Sequence, residues 1–402
     1  MLKKLIYRLT HRHHYWRDIG FDELSELYTS MMFRSLATSL VGIFIPFYLY
    51  KLGYSVQYIL SFFGFTMLLW ALCSLLSAYV VARIGPKHSM LMSYFIQILS
   101  MAQMVMIANS DWPMVLVALS IACSYSLFFV AFHVDFSKIK HSEHGGSEIG
   151  WMVTMEKIGN ILGPLVGGLV AYFFDPRYIF IIAGALLLVG AVPLFLTAEP
   201  VRVRQHIDFS QLRGSGLRWD YRSYAAVGIE NTVCMIVWPL FAAVYVLSDN
   251  PYAQLGSIAS AAIVASLLVA RVVGRVIDQH RGRTLLRAGA LMNAIVHLFR
   301  PFVTGYTGVL AVNVANEGIT VMYRMPYYKG YYDHADDLPG RRIVYIASME
   351  ASAVLARSAI YFLAAAAVFV ASPRSVLMSL FVVGAVTSCF IMLERFRALD
   401  AK

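Results

Sequence analysis

Charged residues crowd the start of the chain, and at about Tyr28 they give way to a run of apolar side chains. Such runs recur, beginning near Tyr28, Ser55, Ser89, Pro113, Gly150 and Tyr178, then near Ser223, Ala253, Thr284, Tyr306, Ile343 and Ser375. Each has room for the roughly 20 mostly apolar residues that a helix needs to cross a bilayer. The pattern predicts an all-α membrane protein of twelve spanning helices joined by short polar turns. The boundary between the ninth and tenth is the least sharp, because Arg300 and Pro301 precede a Thr304-Gly305-Tyr306-Thr307-Gly308 turn.

Composition agrees with this reading. Of 402 residues, 59% are hydrophobic and 14% charged, with a mean hydropathy of +0.65. A soluble domain has about 25% charged residues. A soluble enzyme, a disordered chain or a nucleic-acid binder would need more polar surface. The net charge of +10 is then a question of placement. Of 33 Lys and Arg, 24 fall in the tails and in the loops that the twelve-helix count places on their side, among them Arg83, Lys87, Arg202, Arg218, Arg283 and Arg395. Only Lys51, Arg177 and Arg374 fall in the opposite loops. The bias predicts that both termini lie in the cytoplasm, with the chain in a plasma (inner) membrane, and it leaves no need for a nucleic-acid partner.

The N-terminal segment mixes both charge signs and has no apolar core followed by a cleavage site, so it reads as a cytoplasmic tail rather than a signal peptide. Its His11, His13 and His14 read as part of a solvated basic tail rather than a metal site. Cys73, Cys123, Cys234 and Cys389 are widely spaced in apolar runs, which predicts free thiols and neither a disulfide framework nor a zinc site.

A polar stretch over 199–222 divides the helices six and six. The expected organisation is a tail over 1–27, a first half over 28–198, the central loop, a second half over 223–394 and a tail over 395–402. The halves echo each other weakly. Ile45-Pro46-Phe47 matches Trp238-Pro239-Leu240, and Met155-Glu156 matches Met349-Glu350. Such internal repeats are typical of transporters, with a substrate site between the halves near mid-membrane.

Three local patterns extend this. The run from Gly274 through Asp278 to Arg281-Gly282-Arg283 is similar to the major facilitator superfamily's loop motif between the second and third helices of each half. The equivalent first-half loop keeps Arg83, Gly85 and Lys87 but has Ala82 in place of the acid. Gly159, Gly163, Pro164, Gly167 and Gly168 resemble the fifth-helix motif of that superfamily's antiporters, chiefly exporters. Small residues there let helix backbones touch, and the proline kinks the helix. The basic residue usual in the fourth helix of proton-linked drug exporters is missing from 114–132. The resemblance covers essentially the whole chain. It implies two six-helix halves working by alternating access, with no enzyme activity and no cofactor or metal.

Ionisable residues inside a bilayer are costly and mark function or structural pairing. The candidates are Arg34, His133, Asp135, Glu156, Glu230, Arg300, Glu317, Arg324, Glu350 and Arg357. Glu317 and Arg324, like Glu350 and Arg357, are seven residues apart, about two helical turns and hence one face. Helix direction then predicts cross-helix pairs Glu317–Arg357 and Arg324–Glu350, either a responsive network or a structural lock. Asp135 with His133 could lie at the interface and hydrate. Tyr323, Tyr327, Tyr328, Tyr331 and Tyr332 read as an interfacial belt, with a gate at the inner mouth as the alternative.

The expected activity is proton-coupled export of a small organic molecule by a monomer in the lipid bilayer. The alternative is a proton-linked importer or facilitator of an organic anion, a nutrient or a lysolipid. No GxxxxGK[ST] phosphate loop is present, so ATP drive is not expected. A membrane enzyme would need a clustered catalytic set that the sequence does not offer.

Overall fold

A computed structural model describes residues 21–108, 110, 112–139, 145–195, 205–212, 217–247, 250–278, 282–336, 341–396 and 399. The tail histidines lie outside these residues, as do Arg281 and much of the central loop. The described residues form twelve helical rods and no strand. We number them α1 (Phe21–Gly42, continued by Ile45–Lys51), α2 (Val56–Ile84), α3 (Pro86–Met106), α4 (Met114–Ile139), α5 (Gly145–Phe173) and α6 (Arg177–Ala191). The second set is α7 (Arg218–Thr232, continued through Val233–Val237 to Trp238–Tyr245), α8 (Pro251–Asp278), α9 (Gly282–Phe299), α10 (Gly305–Asp336), α11 (Arg342–Ala367) and α12 (Pro373–Phe390). Eight of the rods are long and apolar enough to cross a membrane by length and composition. The other four, α5, α8, α9 and α10, concentrate glycines and charges. The chain alternates direction, so one end of the bundle, here called the terminal end, holds the start of α1 and the end of α12.

The two prolines that linked the halves in sequence mark the same device in space. Proline has no N–H and crowds the carbonyl four residues back. Pro46 sits in the first turn of Ile45–Lys51, and the preceding piece of α1 ends at Gly42. Pro239 follows the π-turn Val233–Val237 that interrupts α7. The first helix of each half is therefore broken at matching positions. The polar start of α7 differs from expectation: the helix begins at Arg218, inside the stretch read as loop. Trp219 there stands under Arg218, Arg222 and Arg395, which supports a polar helical turn beyond the apolar zone.

Two long seams join the halves, α2 against α11 and α5 against α8. On the first, Ser358 Oγ donates to the Gly64 carbonyl at 2.8 Å. The fifth-helix glycines pack α5 on two sides, three of them against α1 of the same half and Gly168 across the second seam. A Cβ on Gly159, Gly163 or Gly167 would land on the α1 backbone at Met32, Leu36 and Leu40, and one on Gly168 would meet the Tyr252 carbonyl of α8. The gap left by Pro164 is filled from α8. The Leu165 N–H donates to Ser260 Oγ at 3.1 Å, and that hydroxyl donates to the Ile161 carbonyl at 2.5 Å. A serine of the second half thus completes a broken turn of the first.

The loop motifs are partly described. Gly85, at φ +91°, turns α2 directly into α3, a conformation that favours glycine. Arg83 is exposed there. Where Ala82 removes the loop's acid, buried Lys87 reaches Glu26 of α1 at 3.4 Å. In the second half Arg283 donates to Glu394 Oε1 at 3.1 Å and to the Phe396 carbonyl at 2.9 Å, tying the start of α9 to the end of α12. Gly282 packs near Leu399. The side chains of Gly274 and Asp278 lie outside the described residues.

Candidate functional site

Glu230 lies halfway along α7, just before its π-turn, and is 1% exposed. A carboxylate buried this deeply needs donors, and its own helix and two neighbouring ones supply them. Tyr323 of α10 donates at 2.7 Å, Asn293 of α9 at 3.0 Å and the Cys234 thiol, one turn on, at 2.8 Å. His297 Nε2 lies 3.6 Å away. Behind this shell Arg300 donates to Asn316 at 2.9 Å and approaches His297 Nδ1 at 3.1 Å. An arginine can only donate, so Nδ1 accepts from Arg300, while Nε2 faces both Glu230 and the Asn293 amide nitrogen at 3.5 Å.

Glu230, Cys234 and His297 also hold ligand atoms within 4.8 Å of one another, a set that metal chemistry would accept. Arg300 touches two of the three, at 3.4 Å from Cys234 Sγ and 3.1 Å from His297. That fixed positive charge opposes a metal cation there.

The charges of α10 pair differently from expectation. Glu317 bonds to Lys157 of α5, and Arg324 Nη2 lies 4.0 Å from Glu156, also on α5. Glu350 instead accepts from Tyr224 of α7 at 3.2 Å, and Arg357 stands over the Trp70 ring of α2 at 5.5 Å. Glu317 and Arg324 of α10 look across the half boundary to α5, while on α11 Glu350 looks toward α7 and Arg357 toward α2. Glu156, Lys157, Arg324 and Tyr328 line a small cavity where α5 meets α10.

The tyrosines and the fourth-helix pair also differ. Tyr323, Tyr327, Tyr331 and Tyr332 are at most 1% exposed, so they form no interfacial belt. Tyr331 and Tyr332 pack around His133 of α4, and His133 Nδ1 shares a 2.6 Å hydrogen bond with Tyr332. His133 is 5% exposed and Asp135 fully buried, so neither lies hydrated at the interface. This aromatic plug joins α4 to α10 toward the terminal end. At the far end Phe47 of α1 meets Tyr252 of α8, ring centroids 4.8 Å apart.

Arg34 of α1 is 3% exposed. Its guanidinium carbon lies 3.8 Å from the Phe128 ring centroid and 5.4 Å from those of Tyr94 and Tyr125. Trp70 is 5.0 Å from Tyr125 and 5.8 Å from Phe129. Two arginines, one from each half, therefore flank one aromatic cluster at mid-depth.

A two-half bundle of twelve helices is the arrangement that the sequence motifs implied, and comparison with known proteins decides the family. The profile of the Major Facilitator Superfamily matches residues 27–323. The chain belongs to that superfamily. This transporter is 24% identical over 284 residues to the multi-drug resistance efflux pump PmrA homologue of Lactococcus lactis subsp. lactis (strain IL1403), covering 66% of this chain and 68% of the relative. Its fold is similar to the human organic anion transporter MFSD10 (TETRAN), at a TM-score of 0.68 and 12% identity over 93% of this chain and 99% of that one. It is also similar to the outward conformation of the transporter FucP, at a TM-score of 0.63 and 15% identity over 92% and 96%.

Several residues of this transporter's polar cluster escaped sequence reasoning. Asn293 did, although it recurs at helical spacing with His297 and the candidate Arg300, a signal that was available. Cys234, Asn316, Trp70 and Tyr125 carried none, because nothing local distinguishes them from packing residues.

Proposed function

We propose that this superfamily member is a proton-coupled secondary transporter that exports a small organic molecule by alternating access, with Glu230 as the proton-carrying carboxylate. The observation that carries this reading is the Glu230 shell: a buried acid whose donors come from α7, α9 and α10. Protonating the acid removes the charge that orders these donors. Tyr323 then loses its ionic acceptor, and the next residue on α10 is Arg324, which faces Glu156 of α5. A proton arriving inside the second half is thereby felt at the boundary between the halves. A rocking motion that exposes one side at a time would part the His133–Tyr332 contact in one phase and the Phe47–Tyr252 contact in the other.

Export is supported by the glycine-proline pattern of α5 and by the likeness to a bacterial efflux pump homologue. The excess of Lys and Arg at the terminal end supports a cytoplasmic location for both termini, in a plasma membrane. The central loop boundaries, a monomeric state and a proton partner belong to the same proposal. A second reading, a proton-linked importer or facilitator, is favoured by the lack of any basic residue over 114–132 of α4.

Purified protein in liposomes under an imposed pH gradient tests both. The proposal expects movement of substrate against the proton flux, and substrate exchange without response to pH in Glu230→Gln. Substrate moving with the protons would select the importer. A Glu230→Gln protein that still responds fully to the gradient would remove Glu230 from the coupling role.

A further inference from the structure

Four of the unmet hydrogen-bonding groups around the mid-depth aromatic cluster share one chemistry. Arg34 Nη1 and Nη2, Trp70 Nε1 and Arg357 Nε are all buried and have no hydrogen-bond partner among the described residues. All four are N–H donors. They come from α1, α2 and α11, and so from both halves. Buried polar groups in a folded protein are ordinarily satisfied, and each exception calls for an explanation.

Arg34 is the most constrained of them. Its guanidinium lies against the face of Phe128, with Tyr94 and Tyr125 at its flanks, and it makes no ion pair among the described residues. Ring faces attract a cation, but they offer no acceptor to the in-plane N–H groups. The two terminal nitrogens therefore remain as an open fork of the geometry that binds a carboxylate or similar oxyanion through two parallel bonds. Arg357 occupies the other side of the cluster, over Trp70. Both guanidiniums are close enough to act on the Tyr125 phenol. Tyr125, Phe129 and Arg357 are only half-buried, so the cluster keeps an accessible side, unlike the sealed shell of Glu230.

We infer that this cluster is the substrate site and that it takes a lipophilic organic anion, an aromatic body carrying one carboxylate or comparable oxyanion. The oxyanion accepts from Arg34, with Trp70 and Arg357 supplying further donors, and the aromatic body lies along Trp70, Tyr125 and Phe129. The aromatic series continues from Phe129 to His133 and on to Tyr332, which lines a way toward the terminal end once that plug opens. The inference rests on the transport reading above but uses none of its proton-coupling residues. Rings alone can hold a cation, but here they already hold the buried Arg34 guanidinium, which repels a second, and the nearby acid Glu350 is bonded to Tyr224.

The test uses the full-length protein in detergent and in liposomes with three probes of one shape: 2-naphthoate, neutral 2-naphthamide and cationic 2-naphthylmethylammonium. The expected result is that naphthoate binds roughly tenfold or more tighter than either analogue, the worth of one charge-assisted hydrogen bond. Arg34→Gln should erase that preference while leaving the weak binding of the amide unchanged. Arg34→Lys should restore it only in part, because an ammonium lacks the planar fork. Should Arg34→Gln fail to fold, Trp70→Phe keeps the ring and removes one donor, and it should weaken naphthoate alone. Glu230→Gln should leave the preference intact.

Equal or tighter binding of the ammonium or the amide would overturn the inference, as would a naphthoate preference that survives Arg34→Gln, or no binding of any probe. Transport of the ammonium but not of naphthoate would overturn the anion assignment and leave the transport reading standing. Naphthoate that binds through Arg34 but never crosses the bilayer would uphold the anion site and remove the transport reading.

Discussion

Glu230 and Arg300 stood out in the sequence because a charge inside an apolar run is conspicuous. What surrounds them did not, because Tyr323, Asn293 and Cys234 become donors only when α7, α9 and α10 meet. The shell makes a specific prediction. Tyr323→Phe keeps the ring and removes one bond to a charged acceptor, an interaction worth about 1.5–3 kcal/mol. Unfolding should shift by that order. With Gln already at Glu230 the same change should cost much less, since the ionic acceptor is gone. Equal costs in the two backgrounds, read from thermal unfolding in detergent, would show that the phenol does not serve Glu230.

At the scale of helices, spacing gave faces and topology gave neighbours. Glu317 and Arg324 do share a face of α10, yet their partners are on α5. Substitutions at Lys157 and Glu317 should therefore be non-additive, with a coupling of about 0.5–3 kcal/mol. Substitutions at Glu317 and Arg357 should simply add. The reverse outcome would restore the pairing expected from sequence. The kink of α5 makes a second prediction. Ser260→Ala strands the Leu165 N–H and the Ile161 carbonyl in the seam with α8, which should destabilise the protein by about 1–3 kcal/mol. The same change at exposed Ser372, whose hydroxyl caps α12 at 3.2 Å, should cost about 0.5–2 kcal/mol and leave transport unaffected, whereas Ser260→Ala should also slow turnover. Turnover unchanged by Ser260→Ala would mean that this seam does not move during the cycle.

For the whole molecule, alternating access requires the contacts at the two ends to open in turn. A disulfide between cysteines placed at His133 and Tyr332 should abolish net transport, and so should one between cysteines at Phe47 and Tyr252. Reduction should restore the rate of each pair to that of its uncrosslinked form. Transport that continues through either crosslinked pair would show that that end does not need to part. Sidedness is a separate matter. An impermeant maleimide added to intact cells should label a cysteine at Ser372 and fail to label one at Ser215; the opposite pattern would invert the topology.

The number of helices, their alternation and the matching places of Pro46 and Pro239 were determined by the sequence alone. They depend on local properties, namely runs of apolar residues, a missing N–H and the position of charged turns. The glycine pattern of α5 likewise announced a close helix contact before any partner was known. Tertiary structure decided which helix each face meets. It turned the tyrosines of α10 into a buried plug around His133, sent Glu317 to Lys157 and placed Ser260 in the gap at Pro164. It also surrounded Arg34 with rings and with no acid. The physical reason is that a membrane helix exposes several faces of similar polarity, and its own sequence does not say which of them will face lipid, a sister helix or the opposite half. Hydrogen-bond satisfaction and close packing between distant segments settle that choice.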